Sequence, residues 1–148
     1  MTGLQIIVPR EGDLPACAKC YADAYAQPPW NETCAEPDVI RYLAAYLSSE
    51  SRCCFAAAVG GQIVGVALAL IVPSLDGPYL RIEDFCIDPA CQRRGYGTAF
   101  LSSLNAEAKK LGCDCILLGT QREFPAYAFY LRNGFSEIPS ALLYREVL

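Results

Sequence analysis

Gln92-Arg93-Arg94-Gly95-Tyr96-Gly97-Thr98 is the stretch on which the reading of this chain turns. Before it, Tyr79 to Ile87 reads as a strand stopped by Asp88-Pro89. After it, Phe100, Leu101, Leu104, Ala108 and Leu111 trace one face of a helix from Gly97 to Leu111, with Gly112 as its C-terminal cap. The first backbone N–H groups of a helix have no intrahelical partners, and the helix dipole favours an anion there. Gly95 and Gly97 remove Cβ atoms where a ligand would press against the backbone, and Arg93 and Arg94 add positive charge just ahead of the helix. The stretch therefore reads as a cradle for a diphosphate. The competing reading is a tight strand-to-helix turn with no ligand. Two familiar nucleotide patterns do not fit. The dinucleotide fingerprint wants a third glycine where Phe100 stands and an acidic residue about 20 positions on. The Walker pattern wants Gly-Lys-Ser/Thr, which is missing.

Working outward, Leu4 to Val8 reads as a first strand ended by Pro9. Asp13 offers an N-cap to a helix in which Leu14, Cys17, Ala18, Tyr21 and Tyr25 recur at helical spacing. Pro28-Pro29-Trp30-Asn31 breaks that helix, and a second starts near Pro37 with Ile40, Leu43 and Leu47 as its buried stripe. Cys54 to Val59 and Gln62 to Val72 are strand-like runs joined by Gly60-Gly61, a hairpin signal. Beyond Gly112 come a buried strand from Cys115 to Gly119, a helix from Pro125 to Asn133, and two last strands, Phe135 to Ile138 and Leu142 to Val147. The expected architecture is α/β (α+β): a mixed, mostly antiparallel central sheet of about seven strands with four helices, and one parallel βαβ unit from Tyr79 to Gly119.

The chain has 148 residues, 53% of them hydrophobic, enough for one core but not two, so 1–148 reads as a single domain. Net charge is −4, the wrong sign for a nucleic-acid binder, which needs clustered Lys and Arg. No apolar run approaches the roughly 20 residues of a membrane span; the longest, Ile63 to Pro73, is interrupted by Gly65. No signal peptide is legible, since Met1-Thr2-Gly3-Leu4 leads straight into the first strand. A cytoplasmic, reducing location is the expectation. There are nine cysteines and no histidine. Cys17 and Cys20 have metal-like spacing, but no second such pair accompanies them, and on a helix they read as small hydrophobes, so no metal is expected.

Farther along, Ala126-Tyr127-Ala128-Phe129-Tyr130-Leu131-Arg132-Asn133-Gly134-Phe135 resembles the A-x-x-F-Y-x-x-x-G-F signature of GCN5-related N-acetyltransferases (GNATs), and Gln92 to Gly97 resembles that family's Q/R-x-x-G-x-G/A motif. One helix and one strand separate the two, as in the family, and Pro28 to Glu32 is similar to the segment between the first two helices of many members. The resemblance covers nearly the whole chain. It implies a GNAT fold and acetyl-CoA as co-substrate, its diphosphate on the backbone of Arg93, Arg94, Gly95, Tyr96, Gly97 and Thr98, with Gln92 and Asn133 as further cofactor-binding residues. It further implies that pantetheine lies along Phe85-Cys86-Ile87, where the carrier strand splays from its neighbour.

The implied reaction is acetyl transfer to a primary amine by direct attack in a ternary complex. Such an amine has a pKa near 10.4 and must lose a proton, for which a nearby carboxylate serves. By alternation Glu83 shares a face with Arg81 and Phe85 while Asp84 takes the other. Glu83 is the catalytic candidate, family members commonly carrying Glu there; the alternative is that it simply pairs with Arg81. Tyr130 matches the tyrosine that typically points at the coenzyme A sulfur, and its phenol can donate to the departing thiolate; the alternative is a core aromatic. Cys86 has no histidine to activate it as a nucleophile. Tyr25, Trp30 and Glu36, with Glu83, are the candidate acceptor contacts, since aromatics with carboxylates suit a cationic small-molecule or peptide amine. Packing of Trp30 in its loop and solvated acids is the competing account. Two other functional classes stay open: a non-catalytic acyl-CoA sensor or interaction module, and a redox or metal protein built on the cysteines. A homodimer through the last strands is compatible with the fold, and nothing in the chain demands one.

Overall fold

The computed structural model describes residues 2–147. Its chain order is β1 (Gln5–Ile7), α1 (Leu14–Tyr25), α2 (Glu36–Leu47), β2 (Arg52–Val59), β3 (Gln62–Val72), β4 (Tyr79–Ile87), α3 (Tyr96–Lys110), β5 (Ile116–Leu118) and α4 (Pro125–Arg132). One sheet runs in the order β1-β2-β3-β4-β5. The first four strands are antiparallel neighbours, and β5 pairs in parallel with β4 through the α3 crossover. Gly60 and Gly61 both have positive φ (58° and 80°), which matches the strand twist and closes the β2–β3 hairpin in two residues.

Both sheet faces are buried, as the continuous apolar runs of β2 and β3 require. Leu14, Cys17, Ala18, Tyr21 and Tyr25 of α1 and Leu43 of α2 pack with Cys54, Val66, Leu68 and Cys86 on one side. Phe100, Leu101 and Leu104 of α3 pack with Phe55, Ala67 and Ile82 on the other, joined by Phe129 and Tyr130 of α4. Cys17 and Cys20 lie inside the first of these clusters, and the cysteines are free thiols. Helix α3 ends in a Schellman turn: Gly112 is left-handed (φ 77°), Cys113 N–H bonds Ala108 O (2.9 Å) and Gly112 N–H bonds Lys109 O (3.0 Å). Asp13 precedes α1, but its carboxylate accepts from the Arg10 N–H (2.9 Å) rather than capping the helix.

The sheet has five strands, not about seven. The expected strands Phe135 to Ile138 and Leu142 to Val147 do not form: no sheet pairing involves 135–147, and residues 136–147 are exposed. The reason is the lack of a partner. β5 is three residues long, and Glu137 is held by Arg122 and by the Tyr127 hydroxyl (3.1 Å), which fixes the start of the segment on the corner after β5. Pro139 then interrupts the chain before a strand can develop.

Candidate active site

Strand β4 builds the site. Its last partners on β5 are Leu80↔Ile116, Arg81↔Leu117 and Ile82↔Leu118, so residues 83–87 continue without a neighbour on that side. The strands part there, and a cleft of about 1360 Å³ opens. Its walls include Phe85, Cys86 and Ile87 from β4, Gln92, Arg93, Gly95, Tyr96, Gly97 and Thr98 from the loop and helix start, and Phe129 and Tyr130 from α4.

At the far end of β4 the loop backbone is unusual. Gly95 is left-handed (φ 81°) at the N-cap of α3, where no side chain caps the helix, and Arg93 is left-handed as well (φ 64°). A non-glycine residue held there costs of order 1–3 kcal/mol, strain that concentrates at functional sites. A Cβ on Gly95 would meet nothing closer than the Thr2 methyl at 3.9 Å, so the helix start is open to solvent and to a ligand. Gly97 differs: a Cβ there would lie 3.0 Å from the Phe129 ring, so this glycine serves the contact between α3 and α4. The Gln92 side chain donates to Ile87 O (3.3 Å) and braces the turn. The exposed first-turn amides, the open space over Gly95 and the two arginines fit an anionic diphosphate.

A β-bulge decides what β4 shows to the cleft. Leu68 pairs with Asp84 and Ala69 with Ile82, leaving Glu83 as the extra residue. Ile82 and Phe85 consequently pack in the same cluster beneath α3, which strict alternation forbids for residues three apart. Arg81 Nε lies 3.2 Å from Glu83 Oε1, so the expected pairing and the cleft position of Glu83 coexist. Asp84 also lines the cleft. It accepts from the Tyr42 hydroxyl of α2 (2.6 Å) and the Tyr25 hydroxyl of α1 (3.3 Å). Burial, with the Asp84 charge among smaller contributions, pushes the Tyr25 phenol well above its usual range, and burial with the Asp84 hydrogen bond does the same for Tyr42. Both stay donors.

Tyr130 sits among Phe85 (6.2 Å), Phe129 (5.4 Å) and Phe135 (5.4 Å). Among the described residues its hydroxyl has no hydrogen-bond partner. Burial, with smaller contributions from the neighbouring Cys86 and Asp84, raises its pKa. Cys86 is also pushed up, by a hydrogen bond with Cys20 and by burial. A thiol so held is a poor nucleophile.

Of the expected acceptor contacts, Tyr25, Trp30 and Glu83 line the cleft. Glu36 is exposed at the start of α2, and Glu36, Arg94 and Asn133 are not among the lining residues; Asn133 donates to Phe129 O (2.8 Å) at the end of α4. Sequence reasoning misses Asp84, Tyr42 and Phe124. Alternation carried through the bulge puts Asp84 on the far face, and only strand pairing reveals that the bulge is there.

The profile of the Acetyltransferase (GNAT) family matches residues 17–135. No curated protein matches the chain. Among solved structures, a protein of Agrobacterium tumefaciens str. C58 provisionally named an acetyltransferase is 28% identical, with a TM-score of 0.78 over 96% of this chain and 99% of its own. A GNAT family acetyltransferase of Staphylococcus aureus is 17% identical at 0.78, over 97% and 99%. An aminoglycoside antibiotic 6'-N-acetyltransferase of Acinetobacter haemolyticus is 15% identical at 0.78, over 97% and 99%.

Proposed function

The chain belongs to the Acetyltransferase (GNAT) family, and on that premise we propose that it transfers an acetyl group from acetyl-CoA to a primary amine by direct attack in a ternary complex. The observation that carries the reading is the run of β4 past β5 into an open cleft that ends at an uncapped helix start. Acetyl-CoA, when bound, supplies an activated acyl group; everything else falls to the protein. The amides from Arg93 to Thr98 bind the diphosphate, and the unpaired edge of β4 at Phe85, Cys86 and Ile87 offers hydrogen bonds to an extended pantetheine. Glu83 takes the proton of the incoming ammonium, directly or through water. The Tyr130 hydroxyl, held protonated by burial, donates to sulfur as negative charge builds there. Tyr25 and Trp30 line the acceptor end of the cleft.

A panel of amines with coenzyme A release as the readout tests this. Turnover of at least one amine above the thioester hydrolysis rate is expected. Tight acyl-CoA binding with no turnover of any amine would convert the assignment to a sensor. A cytoplasmic setting suits nine free thiols. A homodimer through residues 136–147 belongs to the same proposal, since Leu142, Leu143, Tyr144 and Val147 there are almost fully exposed; light scattering that reads a monomer's mass would remove it.

A further inference from the structure

Two successive carboxylates reach the cleft, and their surroundings differ. Glu83 is paired with Arg81 (3.2 Å). Asp84 has no cationic partner among the described residues, whose ion pairs are Lys19–Asp23, Arg41–Asp38, Arg81–Glu83, Lys110–Glu107 and Arg122–Glu137. It is half-buried, and each of its oxygens accepts one phenol: Oδ2 from Tyr42 and Oδ1 from Tyr25. Tyr42 is not among the cleft-lining residues, so it braces the carboxylate from α2 while Tyr25 stands beside it in the wall. Each carboxylate oxygen has two acceptor sites. The phenols use one apiece, and the remainder are left for a ligand's N–H groups.

From Asp84 an aromatic wall runs along the cleft. Tyr25 meets Trp30 at 5.1 Å, and Trp30 meets Phe124 at 6.1 Å, both edge-on. Such a wall suits the methylenes of an alkylamine and attracts a cation to its ring faces. A carboxylate engaged by two oriented donors is a poor choice as the proton acceptor of the reaction, because neutralising it would weaken both of those charge-assisted bonds. As a fixed anion for an ammonium group it keeps both.

We propose that Asp84, turned into the cleft by the bulge at Glu83 and braced by Tyr42 and Tyr25, binds a second, non-reacting cation of the acceptor, so that the substrates are diamines or polyamines rather than monoamines. This rests on the acetyl-transfer reading and names the substrate class of that site. Tyr42 is a positioning residue.

The test compares α,ω-diaminoalkanes of three to six carbons with alkylamines of equal length, in wild type, Asp84→Asn and Tyr42→Phe. For wild type, kcat/KM for the best diamine should exceed that of its monoamine by roughly 10- to 100-fold, the range of one charge-assisted hydrogen bond. In Asp84→Asn that ratio should fall to about two, the statistical factor for two equivalent amines, with the loss in KM rather than kcat. Tyr42→Phe should lower the ratio by a smaller factor, again through KM, and it carries the test if the aspartate variant does not fold. A ratio unchanged in both variants overturns the proposal. So does a fall in kcat for monoamines and diamines alike, which would place Asp84 in the chemistry. Calorimetric titration of 1,4-diaminobutane into each protein saturated with coenzyme A reads the same contact without turnover. Weakening of about 10-fold in Asp84→Asn supports it, and equal affinity overturns it. A wild type that binds the diamine through Asp84 yet acetylates nothing would sink the acetyl-transfer reading alone.

Discussion

A single hydroxyl separates the two readings of Tyr130. Its ring is packed against Phe85, Phe129 and Phe135, so part of its role is that of a core aromatic. Its oxygen makes no hydrogen bond among the described residues, which leaves the donor free for a ligand. Tyr130→Phe keeps the packing and removes only the donor. The expected outcome is a fall in kcat of about 100-fold, within the usual span for general acid catalysis, with unchanged melting temperature and unchanged calorimetric affinity for acetyl-CoA. Turnover equal to wild type would end the catalytic assignment. The pH dependence has a definite sign. Burial, with Cys86 and Asp84 nearby, raises the phenol's pKa above its ordinary 10.0, so the acid form persists beyond that pH. Between pH 7 and 10 the rate should climb as the amine loses its proton, without a descending limb from Tyr130. A steep descent near pH 9 that vanishes in the Phe variant would contradict this. Glu83→Gln should lower kcat by a comparable factor, with the larger loss near pH 7 where the amine still carries its proton, so that the same climb steepens.

At the scale of elements, what sequence made legible was local. The α1 stripe, the Gly60-Gly61 hairpin, the Gly112 cap and the strand-loop-helix around Gly95 are each specified within a few residues, and each is present. The bulge at Glu83 was not legible, because it is fixed by how β4 registers on β3, a relation between two separate strands (Leu68↔Asp84 beside Ala69↔Ile82). The last two strands failed for a related reason: residues 142–147 have strand-like composition, but composition does not supply a neighbour. Gly97 shows the same division. In sequence its glycine reads as room for a ligand, whereas the nearest obstacle to a side chain is Phe129, 3.0 Å from where an added Cβ would sit. Gly97→Ala should therefore push the Phe129 ring and loosen α4 on α3. Overpacking of about 1–3 kcal/mol outweighs the gain of under about 1 kcal/mol expected from alanine in a helix. Urea unfolding should give a net loss of about 1 kcal/mol. In a Phe129→Leu background the same substitution should be neutral or stabilising. Additive effects in that double-mutant cycle would refute the contact.

For the whole molecule, the consequence lies in what the two faces of the sheet bury. Charged side chains are excluded from the core, and among the described residues no polar or charged side chain is fully buried. Thiols and phenols stand there instead. Cys17 and Cys54, both almost without solvent contact, have pKa values raised from 9.0 to about 12, chiefly by burial, and Cys86, Tyr21 and Tyr25 are raised too. A raised folded-state pKa keeps the proton on in the native protein while the unfolded chain releases it. The stabilisation is therefore complete below the ordinary thiol value and is lost as pH rises from there toward the folded value. Each such group removes about 1.4 kcal/mol per pH unit in that window. Cys17 and Cys54 alone would thus remove several kcal/mol between pH 9 and 11, a large part of a domain's usual margin of about 5–15 kcal/mol. Urea midpoints under reducing conditions should be flat from pH 7 to 8.5 and fall steeply above 9. The fall should be shallower in Cys17→Ala/Cys54→Ala, which removes two of the titrating groups even though it starts from lower stability. A midpoint unchanged up to pH 11 would mean that these thiols are not held in a dry core, and the packing of α1 and α2 against the sheet would have to be redrawn.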